Sequence, residues 1–234
     1  LKALGISLVA SDDVFALLLT LQLAFATTLM LLAVGFPLGW WLARTQTPIK
    51  PVIEAVVALP LVLPPTVIGF YILILLNPES PVGSFWVTVT GESLTFSFWG
   101  LVVASFFYSL PFMIQPLQTG FERDARKPMQ LAYSYGVWPL KAFFTVAIPV
   151  AWRSVLTACV LTFAHTIGEF GVVLMVGGNI PGETRVVSIA IYEHVEATSY
   201  GQANMLSLIL LGLSFSILFL VFLLNRRRGQ YVGV

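Results

Sequence analysis

Long uncharged runs, each bounded by charged residues, dominate the chain. Between Asp13 and Arg44 lie 30 uncharged positions, between Glu54 and Glu79 24, between Glu92 and Glu122 29, and between Glu196 and Arg226 29. A further run of 29 positions separates Arg153 from Glu183, and only Glu169 interrupts it. About 20 apolar residues in helical form cross a bilayer. The runs therefore predict five spanning helices, at about 14–43, 55–78, 95–120, 150–175 and 199–225. Stretches such as LLLTLQLAFATTLMLLAVGF and MLSLILLGLSFSILFLVFLL are continuous, without the in–out alternation of a membrane β-barrel strand. A signal peptide is not expected. The first run is too long for its apolar region and lacks both a basic n-region and a clear cleavage site.

Between the third and fourth runs, residues 121–149 read FERDARKPMQLAYSYGVWPLKAFFTVAIP. Pro128 suits the start of a short helix, predicted over 129–135. Gly136 is the residue type that ends a helix, and Pro139 can open the next one. Residues 176–184, VGGNIPGET, form a turn-rich loop before a short amphipathic stretch at 185–197. The second span contains LPLVLPP, with Pro60, Pro64 and Pro65. Proline removes a backbone donor and kinks a helix. At membrane depth the freed carbonyls need neighbours or a water-lined cavity. That leaves either a packed, kinked helix or one that lines a pathway or a dimer contact. The whole chain, 1–234, reads as a single transmembrane domain with no convincing internal repeat.

Composition narrows the class. Hydrophobic residues make up 58% and charged residues 10%, against about a quarter charged in soluble domains. So few charges cannot cover a water-soluble globule, which excludes a soluble enzyme, a disordered chain and a collagen-like fibre. The net charge of +1 offers no bulk attraction for nucleic acid. A single cysteine, Cys159, rules out a disulfide framework within the chain. The placement of lysine and arginine sets direction. Arg44, Lys50, Arg123, Arg126, Lys127, Lys141, Arg153 and the run 226–228 fall on one side, Lys2 and Arg185 on the other. The N-terminus is therefore expected outside and the C-terminus in the cytoplasm of a multi-pass inner-membrane protein. Trp40, Trp41, Trp138 and Trp152 fall near the inner boundary, and the terminal arginines suit anionic lipid.

The chain shows no catalytic apparatus of its own. It has no Gly-Lys pair, hence no phosphate-cradling G-x-x-x-x-G-K-[ST] loop, and no G-x-S-x-G elbow. His165 and His194 do not make a metal set, and no cofactor is expected on this chain. Glu169 is the one acid inside an otherwise uncharged span, which makes it a functional candidate. It is 16 residues beyond Arg153, about 24 Å at 1.5 Å per residue, and so belongs to the outer half. Three roles remain open: a structural hydrogen bond or interhelical pair, a gate or pathway lining, and substrate coordination. The last is the poorest for an anionic substrate. Gln115, Gln118 and Thr119 end the third span, and Gln22, Thr27 and Thr28 lie inside the first. Such neutral groups either bond between helices or let a dianion pass without trapping it. Gly35 and Gly39 form a G-x-x-x-G helix-packing pattern.

One spacing points further. Gln130, Leu131 and Ala132 are followed by Gly136, then by Val146, Ile148 and Pro149. This resembles the EAA signature of ABC importer permeases: Glu-Ala-Ala, three residues, Gly, nine residues, Ile, one residue, Leu-Pro. Gln130 and Leu131 depart from it. Gln130 loses any ion pair that a glutamate makes but keeps a hydrogen-bonding head. GEFG (Gly168, Glu169, Phe170, Gly171), NIPGETR from Asn179 to Arg185, LPLVLPP and SLPF extend the resemblance to the permeases of molybdate-type importers, over about 14–225. Sulfate permeases are a related alternative. The resemblance implies an all-α fold of the type I importer kind and a homodimeric pore. It also implies two cytoplasmic ATPase subunits that hold ATP and magnesium, and an extracytoplasmic oxyanion-binding protein. Pro128, Gln130, Leu131, Ala132, Gly136, Val146, Ile148 and Pro149 are then the ATPase-coupling residues. Gln115, Gln118, Thr119, Gly168, Glu169, Phe170 and Gly171 are the pathway or gate candidates. A secondary transporter or channel would need no ATPase, and an intramembrane enzyme would need a catalytic set that the chain lacks.

Overall fold

Three helices make the frame. In the computed structural model, which describes residues 11–227, α1 (Ser11–Arg44), α5 (Phe98–Gly120) and α9 (Trp152–Ile167) pack against one another. Gly35 and Gly39 carry the α1–α5 contact. A Cβ on Gly35 would sit 2.7 Å from Met113 Cγ, and one on Gly39 3.0 Å from Leu117 Cβ. The G-x-x-x-G pattern thus brings two backbones together despite Pro37 between its glycines. Beneath this contact, Leu31, Met113, Leu117, Phe121 and Ala158 are fully buried, with Phe36, Trp40 and Phe143 packed around them. Helix α12 (Tyr200–Arg227) lies outside the frame. Leu211, Phe215 and Phe222 are exposed along it, as lipid-facing residues are.

No strand occurs among the described residues, as the continuous apolar runs require. Three helices are long and apolar enough to span, and two bent pairs raise the number to five. The first, third and fifth expected spans are α1, α5 and α12. The second and fourth are not single helices. Expected span 2 consists of α2 (Lys50–Ala58), a 3-10 turn (Leu59–Leu61) and α3 (Pro65–Leu76), and the two halves meet at 111°. Pro60, Pro64 and Pro65 break the hydrogen-bond ladder here more completely than a kink would. Expected span 4 is preceded by α7 (Pro139–Ala142), a π turn (Phe143–Ala147) and α8 (Ile148–Val150), which join α9 at 74°. It then stops at Ile167, and a separate helix, α10 (Gly171–Gly177), follows.

The third span also runs past its expected end at 120. A π turn (Phe121–Ala125) joins α5 to α6 (Arg126–Ser134), so the helix is continuous from Phe98 to Ser134. Pro128 therefore does not start a helix; it is the third residue of α6. Its ring cannot bond the carbonyl four residues back, and the wider π turn just upstream accommodates that loss. Pro139 does open α7, as expected.

Two short helices cover the outer end. α11 (Val187–Glu196) matches the expected amphipathic stretch. Its first turn is capped from α1: Thr20 Oγ1 accepts the Val187 N–H at 2.9 Å while donating to the Ala16 carbonyl at 2.7 Å. α4 (Pro81–Thr90) was not expected. Ser80 caps it by accepting the Gly83 N–H at 2.9 Å, Pro81 occupies the first position, and Gly91 closes it at φ +78°. These are ordinary start and stop signals. The hydropathy pattern passes over them because they lie between spans. Lys2 and Arg228 lie outside the described residues.

Candidate functional site

The coupling segment folds as a corner. Helix α6 ends in a Schellman turn: the Val137 N–H bonds the Ala132 carbonyl at 3.0 Å and the Gly136 N–H bonds the Tyr133 carbonyl at 2.9 Å. This turn needs a left-handed residue, and Gly136 supplies it at φ +75°. Ala132 and Met129 are buried against the π turn that carries Val146, itself half-buried, with Ala142 and Ala147 making room. Ile148 is half-buried and Pro149 exposed. Pro128 is half-buried.

The opposite face of the corner is open. Gln130 is exposed, Leu131 is 62% exposed, Tyr135 84%, Trp138 73% and Leu140 63%. Exposed apolar groups of this kind suit contact with a partner protein or with the membrane. Beside it, Gln130, Arg126, Tyr133, Arg44 and Lys50 line a cavity of about 360 Å³. Arg44 donates to Tyr133 Oη at 2.7 Å and stacks over Trp40, tying α1 to α6. The eight expected coupling residues thus occupy one corner, where Ala132 is buried, Pro128, Val146 and Ile148 are half-buried, and Gln130, Leu131, Gly136 and Pro149 are exposed.

The pathway candidates divide into three places. Gln118 is committed to a cytoplasmic cluster. Its amide donates to Glu54 at 2.7 Å and to Glu122 at 3.0 Å, and Lys50 lies 3.2 Å from Glu122. This cluster ties α2 to α5. Gln115 and Thr119 point elsewhere, into an open cleft towards α9. The GEFG residues lie at the break between α9 and α10. There Gly168 ends α9, Phe170 meets the Tyr192 ring at 5.0 Å, and Gly171 abuts α3. A Cβ on Gly171 would be 2.8 Å from Pro65 Cβ, and one on Gly69 2.7 Å from Met175 Cβ. The two broken spans therefore pack break against break. LPLVLPP and GEFG are far apart in the sequence, and the fold brings them into contact.

Glu169 is 4% exposed; its carboxyl oxygens meet no well-aligned hydrogen bond among the described residues, and the Ser105 hydroxyl is the polar group beside them. Its backbone is engaged by the Ser188 hydroxyl at 2.6 Å. A bare carboxylate buried so would cost several kcal/mol, and it could not attract an oxyanion. One turn before it, His165 stacks on Phe112 at 4.0 Å and meets the Ser109 hydroxyl through Nδ1 at 2.9 Å. Thr27 and Thr162 have buried hydroxyl oxygens without partners among the described residues. Thr28 donates to its own helix. Gln22 is exposed.

The NIPGETR loop is held by its own residues. The Ile180 carbonyl accepts three backbone N–H groups, from Glu183, Thr184 and Arg185. Thr184 donates to the Gly177 carbonyl at 2.6 Å. Arg185, 8% exposed, reaches Glu193 at 3.0 Å and Asp13 at 3.8 Å, and His194 meets Asp13 at 3.1 Å. This network fastens α1, the loop and α11. Removing one member of a buried pair strands the other charge. Arg185→Ala is therefore expected to cost about 3 kcal/mol of stability, read as a fall in the thermal unfolding midpoint in detergent.

A helical membrane frame with two broken spans and an exposed corner between α6 and α7 fits a transport permease. The chain belongs to the binding-protein-dependent transport system inner membrane component family, whose model matches residues 35–230. It is 51% identical to the molybdenum transport system permease protein ModB of Azotobacter vinelandii, over 91% of this chain and 94% of that one. It is 31% identical to ModB of Escherichia coli K12, over 88% and 90%. The sulfate transport system permease protein CysT of Synechocystis is 30% identical over 90% of this chain and 73% of its own length. A chain of the MetNI methionine ABC transporter, solved in inward-facing conformations, shares the fold. Its TM-score is 0.67 at 17% identity, covering 92% of this chain and 94% of that one. The protein is thus a permease component of an importer, integral to the inner membrane and not itself catalytic.

Proposed function

We propose that this chain forms the membrane pathway of an ATP-driven importer of molybdate, with tungstate as an alternative cargo. The observation that carries this reading is the 51% identity to a molybdenum permease along nearly the whole of both chains. The sulfate permease matches less well and over less of its length. The working unit is two copies of this chain around a shared pathway, two cytoplasmic ATPase subunits and an extracytoplasmic oxyanion-binding protein. ATP and magnesium are held by the ATPase; this chain holds no cofactor.

The coupling corner is where hydrolysis becomes movement. Its rigid turn at Gly136 and its exposed Gln130, Leu131 and Tyr135 suit docking into an ATPase cleft. ATP binding draws the ATPase subunits together, and the corners follow. Because α6 is continuous with α5, a displacement there tilts a spanning helix directly. The outward-open form accepts the anion, and hydrolysis restores the inward-facing form. The ligand-dependent step acts through contacts that differ between the two states. At the outer end, the break-to-break contact between α3 and α10 provides a gate.

Co-purification tests the partner part of this reading. An ATPase subunit is expected to accompany the tagged chain from detergent extracts, and its reproducible absence would favour a secondary transporter or channel. Glu169→Gln tests the gate. Since the one polar side chain beside the carboxyl is the Ser105 hydroxyl, which an amide oxygen can also accept, the neutral amide is expected to leave both stability and molybdate uptake close to those of the unaltered chain. A collapse of uptake at unchanged stability would assign the charge itself to the transport cycle.

A further inference from the structure

Between the cytoplasmic third of α5 and the first turn of α9 opens a cleft of about 430 Å³. Gln115 and Thr119 line it from α5, Arg123 from the following π turn, and Arg153, Ser154 and Thr157 from α9. No carboxylate lines it. Asp124 takes two donors of Arg123, at 2.7 and 2.9 Å, so the pair as a whole carries no net charge. Arg153 is exposed and has no ion pair among the described residues. It is the net cation of the cleft.

The donors converge at a fixed spacing. A Cβ on Gly120 would lie 2.2 Å from Ser154 Cβ, so the two helices nearly touch at one corner of the cleft. Thr157 gives its proton to the Arg153 carbonyl at 2.9 Å and cannot donate to a ligand. That leaves the Arg153 guanidinium, the Ser154 and Thr119 hydroxyls and the Gln115 amide. A guanidinium binds an oxyanion edge with paired hydrogen bonds, and the positive end of α9 adds to it. Ala151 at the cap position supplies no competing side-chain acceptor. The buried acid Glu169 is 16 residues further along, about 24 Å away at helical rise, so its carboxyl does not oppose an anion here.

We propose that this cleft is an exit site, where a tetrahedral oxyanion dianion pauses between the pathway and the cytoplasm. The inference rests on the oxyanion reading above and names the residues that hold the cargo last. One net cation open to water makes a weak site, as conduction requires. Strong capture belongs elsewhere.

The test uses the complex of this chain with its ATPase, without the binding protein. Thr119→Cys in a Cys159→Ser background places one thiol in the cleft. Its labelling rate by a negatively charged sulfonate thiol reagent is followed with and without tungstate. Tungstate is expected to slow labelling at least about fivefold, Arg153→Gln to abolish that protection, and Arg153→Lys to keep part of it. Labelling by a neutral reagent checks that the cleft remains open in each variant. Unprotected labelling at millimolar tungstate, or equal protection in Arg153→Gln, would overturn the site. The oxyanion reading fails separately. Protection that depends on Arg153 in a complex unable to import any oxyanion would leave an anion site but remove the transport role.

Discussion

Gly136→Val is expected to lower molybdate uptake by about tenfold or more while the complex still assembles, the equivalent of at least about 1.4 kcal/mol. The effect is confined to the backbone. Nothing lies within 4 Å of a Cβ added at Gly136, so no clash arises. The cost comes from φ +75°, where an L-residue pays about 1–2 kcal/mol and a β-branched one more. Relief of that strain opens the Schellman turn, frees the Ala132 and Tyr133 carbonyls and swings Trp138 and Leu140 away from α6. ATP hydrolysis would then no longer respond to the loaded binding protein. Gly136→Asn is the control, since asparagine visits the left-handed region at small cost; it should retain coupling. Uptake and hydrolysis are measured side by side. Full uptake with unaltered coupling in the valine variant would contradict the docking corner.

The second large effect is expected at the gate. Gly171→Val inserts three carbons where even one would lie 2.8 Å from Pro65 Cβ. Overpacking of this kind costs about 1–3 kcal/mol, and here it pushes α10 away from α3. The variant should lose most uptake, and its unfolding midpoint in detergent should fall. Gly168→Ala, three residues earlier, meets only backbone oxygens at 3.8 and 3.9 Å. It should behave like the unaltered chain. The two outer glycines of GEFG therefore predict opposite results, and equal tolerance of both changes would remove the packed-break account of the gate.

Much of this was legible from charge spacing alone. The runs ending at Asp13, Arg44, Glu122 and Arg226 delimit α1, α5 and α12, because burying a charge at membrane depth is costly. The same criterion is blind to a break that carries no charge, and so it merged α2 with α3; between α9 and α10 the single charge, Glu169, sits at the break itself. Proline and glycine mark those breaks in the sequence, but not the 111° angle at which the halves meet. The Gly136 turn was readable because one residue type satisfies one backbone need. Where Pro128 would lie was not, since whether a helix starts at a proline or tolerates it depends on the π turn before it. Gln118 looked like a pathway donor until α2 brought Glu54 beside it. The Arg185–Asp13 contact joins residues far apart in the chain, and no local pattern announces it. The same holds for the cleft at Arg153, whose donors come from two helices, α5 and α9.

In the proposed cycle this permease turns ATP hydrolysis on one side of the membrane into oxyanion import from the other. Radiolabelled molybdate uptake by proteoliposomes tests it most directly, with the complete complex in the membrane, ATP in the lumen and the loaded binding protein outside. Uptake is expected to require hydrolysable ATP, to be blocked by unlabelled molybdate or tungstate, and to resist an equal excess of sulfate. Uptake that proceeds without ATP, or that sulfate suppresses as fully as molybdate does, would contradict it.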